Sequence, residues 1–198
     1  MLHWKILIIL FSYLLGSIPT GYLIGRMKGI DIRKCGSGNP GTANVYRTLG
    51  KWPGIITFFI DFLKGFFPAF AAVKFFPQDY LFIILVAAAG IAGHIWTIFL
   101  NFKGGKGVAT SAGVFMAFLP APTALAFAVF AVAVWITKHI SVGSMSAAIT
   151  LPVFCIIFKS PVPFSILAFC VCALIIYTHI PNIKRIYSGK ELTFHHKK

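Results

Sequence analysis

The run GSGNPGTANVYR, from Gly36 to Arg47, contains the residue types that bind anions in proteins. Ser37 or Asn39 is predicted to cap a short helix, which Pro40 can begin because its first position needs no N–H. A glycine-rich loop before a helix offers backbone N–H groups and the positive end of the helix dipole to an anion. A capped interfacial helix with solvated charges is the alternative. The candidate phosphate-binding residues here are Gly36, Ser37, Gly38, Asn39, Asn44 and Arg47.

A second glycine-basic turn, NFKGGKG, stands at 101–107, directly before an apolar run that begins at Val108. Two lysines accompany its glycines, so it predicts another anion site at the start of a helix. Together the two turns predict sites for two phosphate groups, or for one phosphate held from both sides. The second turn is not a P-loop, because Gly107 stands where Ser or Thr should follow Lys106. A flexible loop whose lysines only set membrane topology is the alternative. The candidates for phosphate binding here are Lys103, Gly104, Gly105, Lys106 and Gly107.

A third polar group lies near the C-terminal end. His179 and Asn182 are three residues apart, so they are predicted to share a helix face. An imidazole titrates near neutrality and can act as a base or a phosphate donor, although a lone histidine at a helix end is often only interfacial. Glu191 can orient a cationic residue of the site. Lys184 and Arg185 fit a role in membrane topology better than one in catalysis.

Two ionisable residues, Asp61 and Lys64, are spaced i, i+3 inside an apolar stretch. Charged groups at membrane depth are costly and suggest a function, but this pair can also simply neutralise itself. His94 lies near the end of the next apolar stretch, where it can line a site.

The scarcity of carboxylates and the cysteine spacing exclude several chemistries. The chain has four carboxylates, none close to another in sequence: Asp31, Asp61, Asp79 and Glu191. Magnesium-dependent phosphate chemistry is therefore not expected, since its sites usually need clustered carboxylates. The four cysteines form no CxxC pair, so no zinc site is predicted and all are expected to be reduced: Cys35, Cys155, Cys170 and Cys172.

The elements that must position these groups are membrane helices. Of the 198 residues, 58% are hydrophobic and 11% charged, against roughly 25% charged in soluble domains. Breaks at Gly, Pro and charge clusters predict seven spans in a single domain over 1–198: 5–25, 53–76, 79–100, 107–120, 122–138, 142–158 and 161–182. The middle three are short, which leaves a five-span alternative. The first is interpreted as a retained helix and not a signal peptide.

The distribution of basic residues predicts the orientation. With seven spans and the N-terminus outside, 14 of the 18 Lys and Arg residues fall on the cytoplasmic side, three fall outside and Lys64 lies within a span. All three polar clusters fall on the basic side. Because membrane topology explains the basic residues, the net charge of +14 does not indicate a nucleic-acid partner.

The runs GSGNPGTANVYR, FKGGKGVAT and THIPNIKRI, with the opening GSIPTGYLIGR, resemble the bacterial acyl-phosphate-dependent glycerol-3-phosphate acyltransferase family. The resemblance covers nearly the whole chain. It implies a polytopic inner-membrane enzyme that transfers a fatty acyl group from acyl phosphate to the sn-1 hydroxyl of glycerol 3-phosphate. The products would be lysophosphatidic acid and inorganic phosphate. By match of motif, the positions that the family needs are Ser37, Arg47, Lys106, His179, Asn182 and Glu191.

The resemblance implies no cofactor, membrane lipid as surroundings, and functional coupling to the enzyme that makes acyl phosphate. The residues fit this chemistry independently, because two phosphorylated substrates require two anion sites and an acyl phosphate already carries a good leaving group. His179 or a substrate phosphate can serve as the base. A transporter for a small phosphorylated anion is the alternative function, although its polar groups should lie at the bilayer midplane. A structural membrane subunit would leave the glycine-basic turns unexplained.

Overall fold

The computed structural model of the chain describes residues 2–193, and this part folds into helices without strands. The prediction of an all-helical protein is therefore confirmed. Lys197 and Lys198, which the charge pattern assigns to the cytoplasmic side, lie outside the described residues.

The chain divides into two compact units, one ending at Phe118 and the other beginning at Leu119. The α-helices of the first unit are α1 Leu2–Ser17, α2 Thr20–Met27, α3 Thr42–Leu49, α4 Lys51–Phe75, α5 Tyr80–Ile95 and α6 Val108–Phe118. Its loops contain two short 3-10 segments, Ile32–Lys34 and Ile98–Leu100. The α-helices of the second unit are α7 Pro120–Thr137, α8 Ile140–Ile157, α9 Val162–Thr178 and α10 Ile180–Tyr187. The single domain over 1–198 stays a prediction.

Glycines allow the helices of the first unit to pack closely. A Cβ on Gly16 of α1 would lie 2.2 Å from the carbonyl oxygen of Gly90 in α5. A Cβ on Gly65 of α4 would lie 2.3 Å from the carbonyl oxygen of Thr110 in α6. Such close approach is a common way for helices to associate in a bilayer, where lipid removes the hydrophobic driving force. Helix α1 is thereby fixed against α5, and α4 against α6.

The first predicted span, 5–25, is a broken helix. Pro19 has no N–H to donate to the Leu15 carbonyl, which accepts a hydrogen bond from Ile18 instead. Helix α1 therefore ends at Ser17 and α2 begins at Thr20.

Five helical segments are long and apolar enough to cross a membrane, and the bent pair of α9 and α10 can make a sixth. The five are His3–Met27, Lys51–Phe75, Tyr80–Leu100, Pro120–Thr137 and Ile140–Ile157. Helix α6 coincides with the fourth predicted span but has only 11 residues. The seven apolar segments are thus found as helices, whereas seven crossings and their orientation stay predictions.

One predicted boundary is wrong, and one predicted span is bent. The break between the predicted spans 107–120 and 122–138 lies earlier, because Pro120 already begins α7 with Leu119 as its N-cap. Proline is favoured there since the first helical turn needs no N–H partner. The last predicted span, 161–182, is bent by 54° between α9 and α10.

Candidate active site

The first glycine-rich loop is held in shape by the buried side chain of Asn44 on α3. Asn44 Nδ2 donates hydrogen bonds to the carbonyls of Ile32 and Cys35 at 3.1 and 3.0 Å, and its Oδ1 accepts one from the Ser37 N–H at 2.8 Å. Gly36 has a φ of +56°, and a Cβ there would lie 2.3 Å from Asn44 Oδ1. The Asn44 carboxamide is therefore turned toward the loop backbone, a position that differs from the direct phosphate contact predicted for it.

The start of α3 also differs from the prediction. The N-cap is Gly41 in extended conformation, and neither Ser37 nor Asn39 caps the helix. Asn39 Oδ1 instead accepts a hydrogen bond from the Gly41 N–H at 2.9 Å, which closes a turn just before the helix. At the other end, Gly50 stops α3 with a φ of +97°.

Several backbone donors of this loop bond within the loop itself. The Gly38 N–H donates to the Cys35 carbonyl at 2.9 Å, and the N–H groups of Ser37 and Gly41 bond the two asparagine side chains. Half-buried Arg47, one turn after Asn44 on α3, supplies the positive charge of the cluster.

The second glycine-basic turn folds back onto the end of α5. The Gly104 N–H donates to the Ile95 carbonyl at 2.9 Å, and the Gly105 N–H donates to the His94 carbonyl at 3.0 Å. Gly107 has a φ of +86° and is followed directly by α6, as the sequence predicts. Lys103 is exposed in this turn, whereas Lys106 is half-buried.

The two glycine-rich segments meet in the first unit. Asn39 Nδ2 donates a hydrogen bond to the Gly104 carbonyl at 3.3 Å. The α-carbon of Gly105 lies 4.0 Å from the position that a Cβ on Gly41 would occupy. Two clusters separated by more than fifty residues in sequence are therefore brought into contact, each with its own basic side chain.

In the second unit, His179 lies at the junction between α9 and α10 and is buried. Its Nδ1 lies 2.8 Å from the Ile175 carbonyl oxygen. A carbonyl can only accept, so Nδ1 carries the proton and the lone pair of the neutral ring is on Nε2. The Asn182 N–H donates to the His179 carbonyl at 2.8 Å, which keeps the two residues together across the bend.

Glu191 is bound by three side chains from α8 and α10. Its Oε1 accepts from Asn182 Nδ2 and Ser141 Oγ, each at 2.7 Å, and its Oε2 accepts from Arg185 Nε at 2.9 Å. Burial opposes ionisation of this carboxyl, but the three hydrogen bonds outweigh it and lower the pKa of Glu191 below its usual range. Glu191 thus holds the side chains of Arg185 and Asn182 in place, whereas its role in a catalytic site stays a prediction.

Some residues of these networks could not be found from the sequence. Ser141 lies 50 residues before its partner Glu191 and belongs to no polar motif. The contact between Asn39 and Gly104 likewise depends on how the loops fold. Half-buried Asp31 pairs with exposed Arg33 at 2.8 Å beside the first loop, and this guanidinium lowers the pKa of Asp31 to about 2.

Every carboxylate of the chain lies in an ion pair with a basic residue of its own unit. The pairs are Asp79 with Lys5, Asp31 with Arg33, Asp61 with Lys64, and Glu191 with Arg185. Within residues 2–193, no group of three or more His, Cys, Asp and Glu side chains is arranged to hold a metal ion.

Comparison with known proteins gives one consistent family. Residues 6–189 match the family model described as glycerol-3-phosphate acyltransferase. The chain is 44% identical over 188 residues to the glycerol-3-phosphate acyltransferase of Endomicrobium trichonymphae, covering 94% of both proteins. It is 43% identical over 188 residues to that of Aquifex aeolicus (strain VF5), covering 94% of this chain and 97% of the relative.

Two crystal structures have the same fold at 41% identity. They are PlsY (YgiH), an integral membrane glycerol 3-phosphate acyltransferase, in its glycerol 3-phosphate form and its lysophosphatidic acid form. The TM-scores are 0.93 and 0.90, over 96% of this chain and 96% and 94% of those chains. The family model spans both compact units, and this multi-pass membrane protein therefore belongs to the glycerol-3-phosphate acyltransferase family.

Proposed function

We propose that this enzyme transfers a fatty acyl group from acyl phosphate to the sn-1 hydroxyl of glycerol 3-phosphate, which gives lysophosphatidic acid and inorganic phosphate. The observation that carries the proposal is the junction of the two glycine-basic turns through Asn39 and Gly104. This contact supports the proposal because two segments that we propose to bind phosphate lie side by side, as a reaction between two phosphorylated substrates requires.

The ion pairs of the carboxylates support a reaction that needs no metal ion. Each carboxylate is already bound to a basic side chain, which leaves the chain poorly equipped to supply the oxygen ligands that Mg²⁺ prefers. An acyl phosphate is a mixed anhydride with a good leaving group, so the reaction can proceed by positioning two reactants and stabilising developing charge.

We assign the basic residues of the first unit to the phosphate groups. Arg47 and Lys106 make charge-assisted contacts to phosphate, and Ser37 adds a hydroxyl to the first loop. Exposed Lys103 attracts anions to the second turn. Asn44 acts by holding the first loop, as its three hydrogen bonds to the backbone indicate.

The second unit supplies the acid–base groups in this proposal. His179 Nε2 can take the proton of the sn-1 hydroxyl, because Nδ1–H is held by the Ile175 carbonyl. A phosphate oxygen of a substrate is the other base that the chemistry allows. Asn182 contacts substrate in an orientation set by Glu191.

We further propose that the site faces the cytoplasm at the bacterial inner membrane. The basic loops predict this orientation, and glycerol 3-phosphate is water-soluble and must enter from the aqueous side. Functional coupling to the enzyme that produces acyl phosphate follows from the use of a reactive donor.

Purified protein tests the proposal directly. With acyl phosphate, glycerol 3-phosphate and excess chelator, we expect equal release of inorganic phosphate and lysophosphatidic acid. Lys184→Ala, which removes an exposed charge, should match wild type, whereas Arg47→Ala should not. A strict need for magnesium, or equal use of acyl-CoA, would contradict the proposed donor chemistry. Uptake of the phosphorylated anion into vesicles without acyl transfer would favour a transporter.

A further inference from the structure

A buried ionic cluster lies where α4 passes the break between α1 and α2. Lys64 Nζ lies 2.7 Å from Asp61 Oδ1 and donates a hydrogen bond to the Ile18 carbonyl at 2.8 Å. Thr20, the first residue of α2, donates its hydroxyl hydrogen to the same Asp61 oxygen at 2.9 Å. Asp61 is 1% exposed and Lys64 5%, so the cluster ties α4 to both sides of the break from inside the unit.

His94, near the end of α5, connects this cluster to the second glycine-basic turn. Its Nδ1 lies 3.8 Å from Asp61 Oδ1. On the opposite side of the ring, a Cβ added to Gly105 would lie 2.1 Å from Nε2. The Gly105 N–H also donates to the His94 carbonyl. The turn is therefore held against one residue by both its side chain and its main chain.

A small cavity shows that both glycine-rich segments share this support. Its wall includes Pro40, Asp61, Lys64, His94, Gly104 and Gly105. Pro40 follows Asn39, whose side chain bonds the Gly104 carbonyl. The first loop, the second turn and the ionic cluster are thus packed around one space.

Stability alone does not explain an ion pair at this depth. Buried pairs can often be replaced by apolar residues without loss of stability, and ionisable groups within a membrane are costly. We propose that Asp61, Lys64 and His94 are positioning residues that hold the Gly104-Gly105 turn where it can bind a phosphate group. This inference rests on the proposed function, because it assumes that the turn binds substrate phosphate.

His94 variants test the proposal through binding and kinetics. The binding of inorganic phosphate and of radiolabelled glycerol 3-phosphate is measured by equilibrium dialysis on the purified protein, alongside KM and kcat. His94→Ala should weaken phosphate binding and raise KM by roughly 10- to 100-fold, as expected for a misplaced binding group. Turnover at saturation should change much less. His94→Gln should restore most of the affinity, because it refills the space beneath Gly105.

Ile83→Ala is the matched control, since Ile83 is buried in α5 three turns before His94. It should lower thermal stability without changing phosphate affinity. Wild-type affinity in His94→Ala, or an equal loss of affinity in Ile83→Ala, would overturn the proposal.

The ion pair is tested with a neutral double variant. Asp61→Asn and Lys64→Met each leave one buried charge unmatched, so both should lose thermal stability. The double variant should recover that stability but still bind phosphate weakly, because His94 has lost its charged neighbours. Wild-type affinity in the double variant would show that the pair only neutralises itself.

Coupling between His94 and the turn gives the sharpest test. Gly105→Ala would clash with the imidazole, whereas a Cβ on Gly104 would lie 2.1 Å from the His94 carbonyl oxygen, which no side-chain change removes. Adding Gly105→Ala to His94→Ala should therefore cause little further loss of affinity. Adding Gly104→Ala to His94→Ala should reduce phosphate affinity by the product of the two single-variant losses. If the affinity losses also multiply when Gly105→Ala is combined with His94→Ala, the contact on which the inference depends is refuted.

Direct binding separates this inference from the proposed function. If the variants bind phosphate weakly while the wild type fails to use acyl phosphate, the donor is wrong and the positioning role holds. If the wild type transfers acyl groups while the variants bind phosphate normally, the positioning role is wrong.

Discussion

Arg47 is the residue at which a phosphate contact can be tested most directly. It is half-buried on α3 beside the loop that Asn44 holds. Arg47→Ala should chiefly raise KM for one phosphorylated substrate, with a loss of about 2 kcal/mol for a charged hydrogen bond. Arg47→Lys should restore only part, because lysine lacks the bidentate fork. Steady-state kinetics against both substrates checks this, and unchanged constants in Arg47→Ala would remove the first loop from phosphate binding.

His179 differs from Arg47 in the parameter that its loss should change. If Nε2 is the base, His179→Ala should lower kcat by roughly 100-fold or more with a smaller effect on KM. His179→Asn keeps hydrogen-bonding capacity but removes the titratable group. The pH profile of kcat decides between the two bases. An active His179→Asn enzyme with an unchanged profile would assign the proton transfer to a substrate phosphate.

At this scale, the sequence shows which residue types are present but not where their atoms point. Asn44 stands in a glycine-rich run between Ser37 and Arg47, and its type and spacing suit an anion ligand. Its direction depends on the carbonyls of Ile32 and Cys35, which only the folded loop brings to it. Asp61 and Lys64 could be paired from their spacing alone, because i, i+3 residues share a helix face. The hydrogen bond from Lys64 to the Ile18 carbonyl could not be predicted in this way.

Among the elements, α10 is joined to α8 through Glu191, so the stability of this contact should depend on pH. The folded-state pKa of Glu191 is lowered, so its contribution is present above its unfolded value of about 4.3 and is lost as pH falls below it. Thermal unfolding should show this loss as the pH is lowered from neutral through the unfolded value and below it. At pH 7, Glu191→Gln should lower the free energy of unfolding by about 2 kcal/mol. The stability of this variant should also depend less on pH.

The matched control for that experiment is Asp31→Asn, which removes the carboxylate that pairs with exposed Arg33 in the first unit. It should leave the unfolding at pH 7 nearly unchanged, since exposed pairs contribute little. Wild-type stability of Glu191→Gln at pH 7 would contradict the role assigned to the Glu191 network.

The positions of the elements followed well from apolar runs, but their breaks did not. The apolar residues continue across Pro19 and across His179, so apolar periodicity alone does not reveal either break in the helix. Pro19 breaks the first span because it lacks an N–H. The junction at His179 is held by hydrogen bonds to Ile175 and Asn182, and Glu191 binds the Asn182 side chain.

For the whole molecule, the predicted topology can be tested by labelling single cysteines in a variant without the four native ones. Cysteines at Gln78 and Ser160 should react with a membrane-impermeant reagent in intact cells. Those at Ser37, Lys103 and Ser188 should react only after the membrane is opened. Lys103 is preferable to Gly105, where a side chain would meet His94. Reaction at Lys103 in intact cells would contradict the proposed cytoplasmic site.

The local pairing of all four carboxylates also has a consequence for how fast substrates arrive. Because each acidic group is neutralised by its neighbour, the remaining charge of +14 has no counterweight within the chain and extends its field into the surrounding water. Fields of this kind can raise the encounter rate of an oppositely charged ligand by about 10- to 1,000-fold, and salt screens them beyond about 8 Å at physiological strength. Both proposed substrates are anions and inorganic phosphate is a product, so added salt should slow capture of substrate while easing departure of product. Added salt should therefore lower the reaction rate at low substrate concentration and raise it at saturating substrate.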